Sequence, residues 1–164
     1  MTKRIALLPA LCIWGFSLMA QSTAVFTEAD LAYKRGTGFY QEGLFGKAQE
    51  EFHQTMMLLQ PVNEPAADLL RIKAELHYAK SAVQLKLPDG EKLILDFIRK
   101  YKPDPMAMQA LNEIAKYYYD SKEYEKAISF YDQVDWSGLS KSQRDEARFR
   151  LGYSYFVTKQ FGRA

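Results

Sequence analysis

Apolar and polar positions along this chain follow the period of a helix almost from end to end. Ala32, Gly36 and Phe39 fall at i, i+4 and i+7, and Leu111, Ala115 and Tyr118 repeat that spacing. Each trio therefore shares one face of an amphipathic helix. The pattern predicts a helix over 27–41 capped by Thr27, a turn over 43–46 and a second helix over 47–59. The loop Pro61-Val62-Asn63-Glu64-Pro65 places Pro65 in the first turn of a long helix over 66–86. Pro88-Asp89-Gly90 breaks it, and 91–101 is helical again. After Lys102-Pro103, Asp104 caps a helix over 106–120 with Pro105 at its start, and 124–134 forms its partner. Ser140 with Gln143 three residues on reads as a capping box for a helix running to about residue 158. Phe161 opens one more.

These helix pairs resemble one another. With Gly36, Ala115 and Gly152 set in register, Phe39, Tyr118 and Tyr155 follow three residues later, and Phe45, Tyr124 and Phe161 nine later. Ala48, Ala127 and Ala164 come twelve later, then Phe52 and Tyr131 sixteen later. Every aromatic slot in that register is filled in a chain that is only 14% aromatic, so the repeat is not an accident of composition. A glycine or alanine at a crossing lets two helix backbones approach, and the rings fill the space around the contact. One pair cannot cover its own apolar stripe, so pairs must stack and share a core.

The small residue, the Tyr or Phe, the Ala and the second aromatic at these offsets resemble the tetratricopeptide repeat, a helix–turn–helix of 34 residues. The resemblance implies an all-α fold, an α-solenoid of antiparallel helix pairs wound into a right-handed superhelix. It divides the chain into a repeat over 27–61 closing on Pro61, a degenerate or lengthened repeat over 66–105, the best-matching repeat over 106–139, and a truncated one over 140–164. The second copy departs from the pattern: with Ser81 in register, the slot three residues on is the polar Gln84. In such a fold the first helix of each pair lines a concave groove. The resemblance places Tyr33, Thr37 and Tyr40, then Asn112, Lys116 and Tyr119, then Phe149, Tyr153 and Phe156 along it as residues that bind a partner. Ala164 falls just inside an unfinished second helix without the polar cap that terminal repeats carry, so the chain is expected to be part of a longer array.

The first twenty residues follow different rules. Met1-Thr2-Lys3-Arg4 is short and basic, residues 5–20 are almost wholly apolar and uncharged, and small Ala20 precedes polar Gln21 and Ser22. That is the design of a secretory signal peptide over 1–20. Its apolar run is shorter than the roughly 20 residues of a membrane-spanning helix. Lys3 and Arg4 account for the whole two-charge excess of bases over acids, so the remainder has no basic balance that would recruit nucleic acid. Cys12, the one cysteine, belongs to the same segment and lacks the small preceding residue of a lipid-attachment site. Export to the bacterial periplasm or the outer membrane is the localisation these features suggest.

Little in the rest of the sequence carries chemistry. His53 and His77 are the only histidines, lie on different helices without acidic or cysteine partners at ligand spacing, and read as surface or rim residues. Gly36-Thr37-Gly38 lies inside a helix rather than after a strand, so it is no phosphate loop. Acidic residues sit beside lysines, as in Lys122-Glu123-Tyr124-Glu125-Lys126, and mark solvated faces. No catalytic residue, cofactor or metal site is expected, and the function expected is protein binding: a scaffold holding other proteins or peptides of an envelope complex. Two alternatives share the platform. One is a lipid-anchored or surface protein that captures solutes or glycans; the other is the helical-repeat part of an enzyme whose catalytic domain lies elsewhere.

Overall fold

The computed structural model describes the backbone of residues 10–163 and the side chains of residues 23–163. Among the described residues every regular element is helical: α1 (Ala10–Gln41), α2 (Phe45–Leu59), α3 (Pro65–Gln84), α4 (Gly90–Tyr101), α5 (Pro105–Asp120), α6 (Tyr124–Tyr131) and α7 (Lys141–Val157), with a short 3-10 turn at Trp136–Gly138. Residues 1–9 of the expected signal segment, the side chain of Cys12, and Ala164 lie outside this description.

The chain forms two compact units, one ending at Leu85 and the other beginning at Lys86. That boundary falls inside the 66–105 segment. In the first unit α1 packs on α2 and α2 on α3; in the second, α4 packs on α5, α5 on α6 and α6 on α7. An all-helical chain of consecutive packed pairs is compatible with an α-solenoid.

One expected cap is corrected. Thr27 does not begin a helix, because α1 is already running; its Oγ1 donates to the Thr23 carbonyl at 2.8 Å, as a threonine inside a helix does. The stretch 20–32 holds neither proline nor glycine, so nothing in it stops the helix from extending towards the N-terminus. The later caps form as their residues suggest. Asp104 accepts from the Met106 amide at 2.7 Å, with Pro105 in the first turn, and Ser140 and Gln143 close both halves of a capping box on α7. Helix α6 stops at Tyr131, three residues before the expected end.

One turn recurs after α1, α5 and α7. Gly43 (φ 77°), Lys122 (φ 62°) and Lys159 (φ 61°) stand seven residues after Gly36, Ala115 and Gly152 in left-handed conformation. In each, that residue's N–H donates three residues back: Gly43 to Tyr40, Lys122 to Tyr119 and Lys159 to Phe156, at 2.9–3.1 Å. The next N–H reaches five back: Leu44 to Phe39, Glu123 to Tyr118 and Gln160 to Tyr155, at 2.8–2.9 Å. This left-handed C-terminal cap satisfies two carbonyls that the helix end would otherwise strand.

The cores hold the small residues and rings of the repeat. In the first unit Ala48, Phe52 and Ala74 form one buried cluster, and Ala29, Leu59, Val62, Ala67 and Leu70 another. Gly36 sits where α1 crosses α2: a Cβ there would lie 2.8 Å from the Phe52 ring. In the second unit Ala115, Tyr118, Ala127, Tyr131 and Tyr155 are buried. The remaining repeat positions are looser. Phe39, Phe45 and Tyr124 are half-buried. At Gly152 and Phe161 the expected packing is absent: a Cβ at Gly152 would meet nothing within 4 Å, and Phe161 is exposed. The physical reason is that among the described residues no second helix lies against α7 at the place where α2 lies against α1.

Candidate aromatic binding face

The three sets of expected groove residues fall on the first helices of their pairs, and the structure treats them differently. Tyr33 and Tyr40 on α1 clasp His77 of α3, both rings edge-on to the imidazole at centroid distances of 5.6 and 5.9 Å. Phe52 closes the third side at 5.2 Å. Nδ1 of His77 is 2.9 Å from the Lys73 carbonyl, which can only accept, so the ring proton sits on Nδ1. The Tyr33 hydroxyl lies 3.4 Å from the same nitrogen. His77 is therefore a half-buried wedge joining three helices rather than a rim residue. His53 is exposed, as expected. Thr37 is half-buried, and its hydroxyl donates to the Lys34 carbonyl at 2.8 Å.

The other two sets meet in the second unit. On α5, Asn112 is half-buried, and exposed Lys116 pairs with Asp120 one turn on. Tyr119 forms a triangle with Tyr124 of α6 and Tyr153 of α7, all three rings 5.8–5.9 Å apart and steeply inclined. The Arg150 guanidinium, paired with Glu146, lies 6.0 Å from the Tyr119 ring centre. From this triangle the aromatic surface continues outward along α7. Phe149 stacks on Tyr153 at 6.4 Å, and Phe156 leans on Phe161 at 5.8 Å. Phe149, Tyr153 and Phe156 are 68%, 43% and 61% exposed, so a row of rings stands in solvent on one helix.

Helix α7 thus carries two apolar stripes. Ala147, Ser154 and Tyr155 are buried, while Phe149, Tyr153 and Phe156 are exposed, with half-buried Gly152 among them. A helix that is apolar on both sides is built for burial on both sides. Sequence reasoning missed His77 as a packing residue, because a lone histidine carries no apolar signal of its own even between Leu76 and Tyr78; the rings it joins were legible, their meeting point was not.

Three tyrosines of the second unit hold their protons tightly. Burial pushes the Tyr131 phenol up to about 12. Burial, and then the Asp132 carboxylate to which its hydroxyl donates, raise Tyr155 to about 12. Burial and Glu91 raise Tyr118 as well. An ordinary tyrosine titrates near about 10. Folded-state values above the unfolded value mean stability fully present below pH ~10 and lost as pH climbs towards ~12. Thermal melts across that range are expected to fall steeply, with tyrosinate absorbance lagging until the chain unfolds. Ordinary titration of all tyrosines in a chain that stays folded would contradict this packing.

Among the described residues no group of three or more His, Cys, Asp or Glu side chains is placed to hold a metal ion, and no helix is long and apolar enough to cross a membrane. Neither a family model, nor a curated protein, nor a solved structure matches this chain.

Proposed function

We propose that this chain is a helical-repeat binding module of the tetratricopeptide type, exported to the bacterial cell envelope, that holds a segment of another protein on the aromatic face of its second unit. The observation that carries this reading is the solvent-exposed row Phe149, Tyr153 and Phe156. Exposed rings cost solubility, and contiguous apolar surface of this kind marks interaction sites. Aromatic anchors supply most of the energy at protein interfaces. The repeat register over Gly36, Ala115 and Gly152 and the turn recurring seven residues after each support the repeat type. The basic, apolar, small-residue order of residues 1–20 supports export. Catalysis is not part of the proposal.

The test is a pull-down from envelope extract with the wild-type chain and with Phe149→Ala plus Phe156→Ala. Both side chains are exposed, so the variant is expected to keep its circular dichroism and melting temperature. It is expected to lose at least one protein that the wild type captures. A folded variant that keeps every partner would remove this face from the proposal.

A further inference from the structure

We propose that the leader is cut from α1 at a bond following Ala20, Ser22 or Ala24, and that the cut moves the start of this helix to Thr27; the inference rests on the export reading above and names the processing site and its effect. While the leader is attached, α1 runs through this stretch without a break, from Ala10 to Gln41. Small residues stand at 20, 22 and 24, the kind that a leader peptidase selects. Val25 and Phe26 are partly buried against the cluster of Ala29, Leu59 and Leu70, whereas Thr23 and Ala24 are exposed. The fold thus holds the chain from Val25 onwards and leaves the bonds before it clear. Hydrolysis adds one water across the chosen bond, leaving a carboxylate on the leader and an amino group on the remaining chain.

The stretch is a weak part of α1. Of residues 22–27 only Ala24 is a strong helix former; the others are Ser22, Thr23, Val25, Phe26 and Thr27. Thr27 spends its hydroxyl on the Thr23 carbonyl at 2.8 Å, a bond that slightly weakens a helix. Such residues stay helical when turns on both sides propagate through them. A helical bond must open before a protease can cut it, and a run of poor helix formers opens readily. Once the upstream turns are gone, nothing propagates the helix into it.

The residues that follow are built as a helix start. Thr27 and Asp30 have the spacing of a capping box, and Phe26 and Leu31 that of a hydrophobic staple. Glu28 and Asp30 fall in the first turn of a helix that starts at Thr27, where the dipole favours acids. In the uncut helix those places bring no such gain: Asp30 pairs with Lys34 at 2.6 Å, and Leu31 is 51% exposed. Cutting upstream frees the Thr27 hydroxyl to accept from the Asp30 amide.

The full chain is made in an exporting bacterium, and its N-terminus is read by intact mass and sequencing. The same chain made by cell-free translation in detergent is the uncut reference. The exported chain is expected to begin at Gln21, Thr23 or Val25. Hydrogen exchange over residues 23–27 is expected to be slow in the uncut form and fast in the cut one. Thr27→Ala is expected to lower the melting temperature of the cut form by about 2–4 °C and not to lower that of the uncut form, where alanine is the better helix residue. Thr27→Ser keeps a capping hydroxyl and is expected to leave the cut form unchanged. A Thr27→Ala effect that is absent from the cut form, or equal in both, overturns the restart and leaves export standing. So does an exported chain that keeps residues 1–20 or begins beyond Val25, which overturns the processing site. A chain that is neither cut nor exported overturns the export reading as well.

Discussion

Replacing Phe52 by alanine is expected to cost the first unit about 3–5 kcal/mol, the range for deleting a fully buried ring. Phe52 has no exposed surface, and it belongs to a cluster in which residues of α1, α2 and α3 meet. Its ring is 5.6 Å from Tyr33 and 5.2 Å from His77. The upper part of the range is favoured because the hole cannot collapse. Its walls include Gly36, Ala48 and Ala74, which have no atoms to spare, and His77, which is held by the Lys73 carbonyl. Such a loss is a large fraction of an ordinary domain's 5–15 kcal/mol, roughly. Phe149→Ala is the control: the same atoms are removed from a ring already in solvent, and the expected change is within about 0.5 kcal/mol. Urea titration followed by circular dichroism measures both. A Phe52 loss below about 1.5 kcal/mol would mean that the three helices are not joined through this ring.

The helices were legible in the sequence because their signals are local. Asp104 and Ser140 sit where their side chains reach a free amide two or three residues on, and proline at 65 and 105 needs only the fixed φ of a first helical turn. Gly36 was legible as a close approach because the ring that fills it, Phe52, recurs in register as Tyr131. The turns were only partly legible. Gly43 announces its positive φ, whereas Lys122 and Lys159 adopt the same conformation without a glycine to signal it. Their strain, about 1–2 kcal/mol for a residue with a Cβ, is met by the two carbonyl bonds the turn closes. The end of α6 was illegible for a related reason: Gln133 and Val134 form turn bonds to Phe130 and Tyr131 that no residue type advertises. Of the groove residues, the sequence marked which ones share a stripe. It carried no sign that Tyr33 and Tyr40 are covered by His77, because that contact spans more than 35 residues along the chain. The exposed rings on α7 stood out in sequence only as a row of aromatics at helical spacing, and their solvent exposure is a property of packing alone.

Gly36→Ala and Gly152→Ala, the same change at the same place in the repeat, are expected to move stability in opposite directions. Alanine in a helix interior is favoured over glycine by about 0.5–1 kcal/mol, because glycine loses more backbone entropy on folding. At Gly152 nothing opposes that gain, since the new methyl would meet no atom within 4 Å. At Gly36 it would stand 2.8 and 2.9 Å from two carbons of the Phe52 ring and 3.2 Å from Cβ of Glu51. The ring cannot swing aside, because Tyr33 and His77 hold its other edges, and α2 is further tied to α1 by the two bonds from Arg35 to Glu51 at 2.9 and 2.7 Å. Overpacking costs about 1–3 kcal/mol, which exceeds the propensity gain. Gly36→Ala should therefore destabilise by about 1–2 kcal/mol while Gly152→Ala stabilises by up to about 1 kcal/mol. The decisive measurement is the pair Gly36→Ala with Phe52→Leu, in which the smaller side chain vacates the space the methyl needs. The double variant should be less destabilised than the sum of its parts by roughly 0.5–3 kcal/mol, the range for residues in contact. Strict additivity, or a Gly36→Ala variant as stable as the wild type, would show that the glycine does not set the distance between α1 and α2.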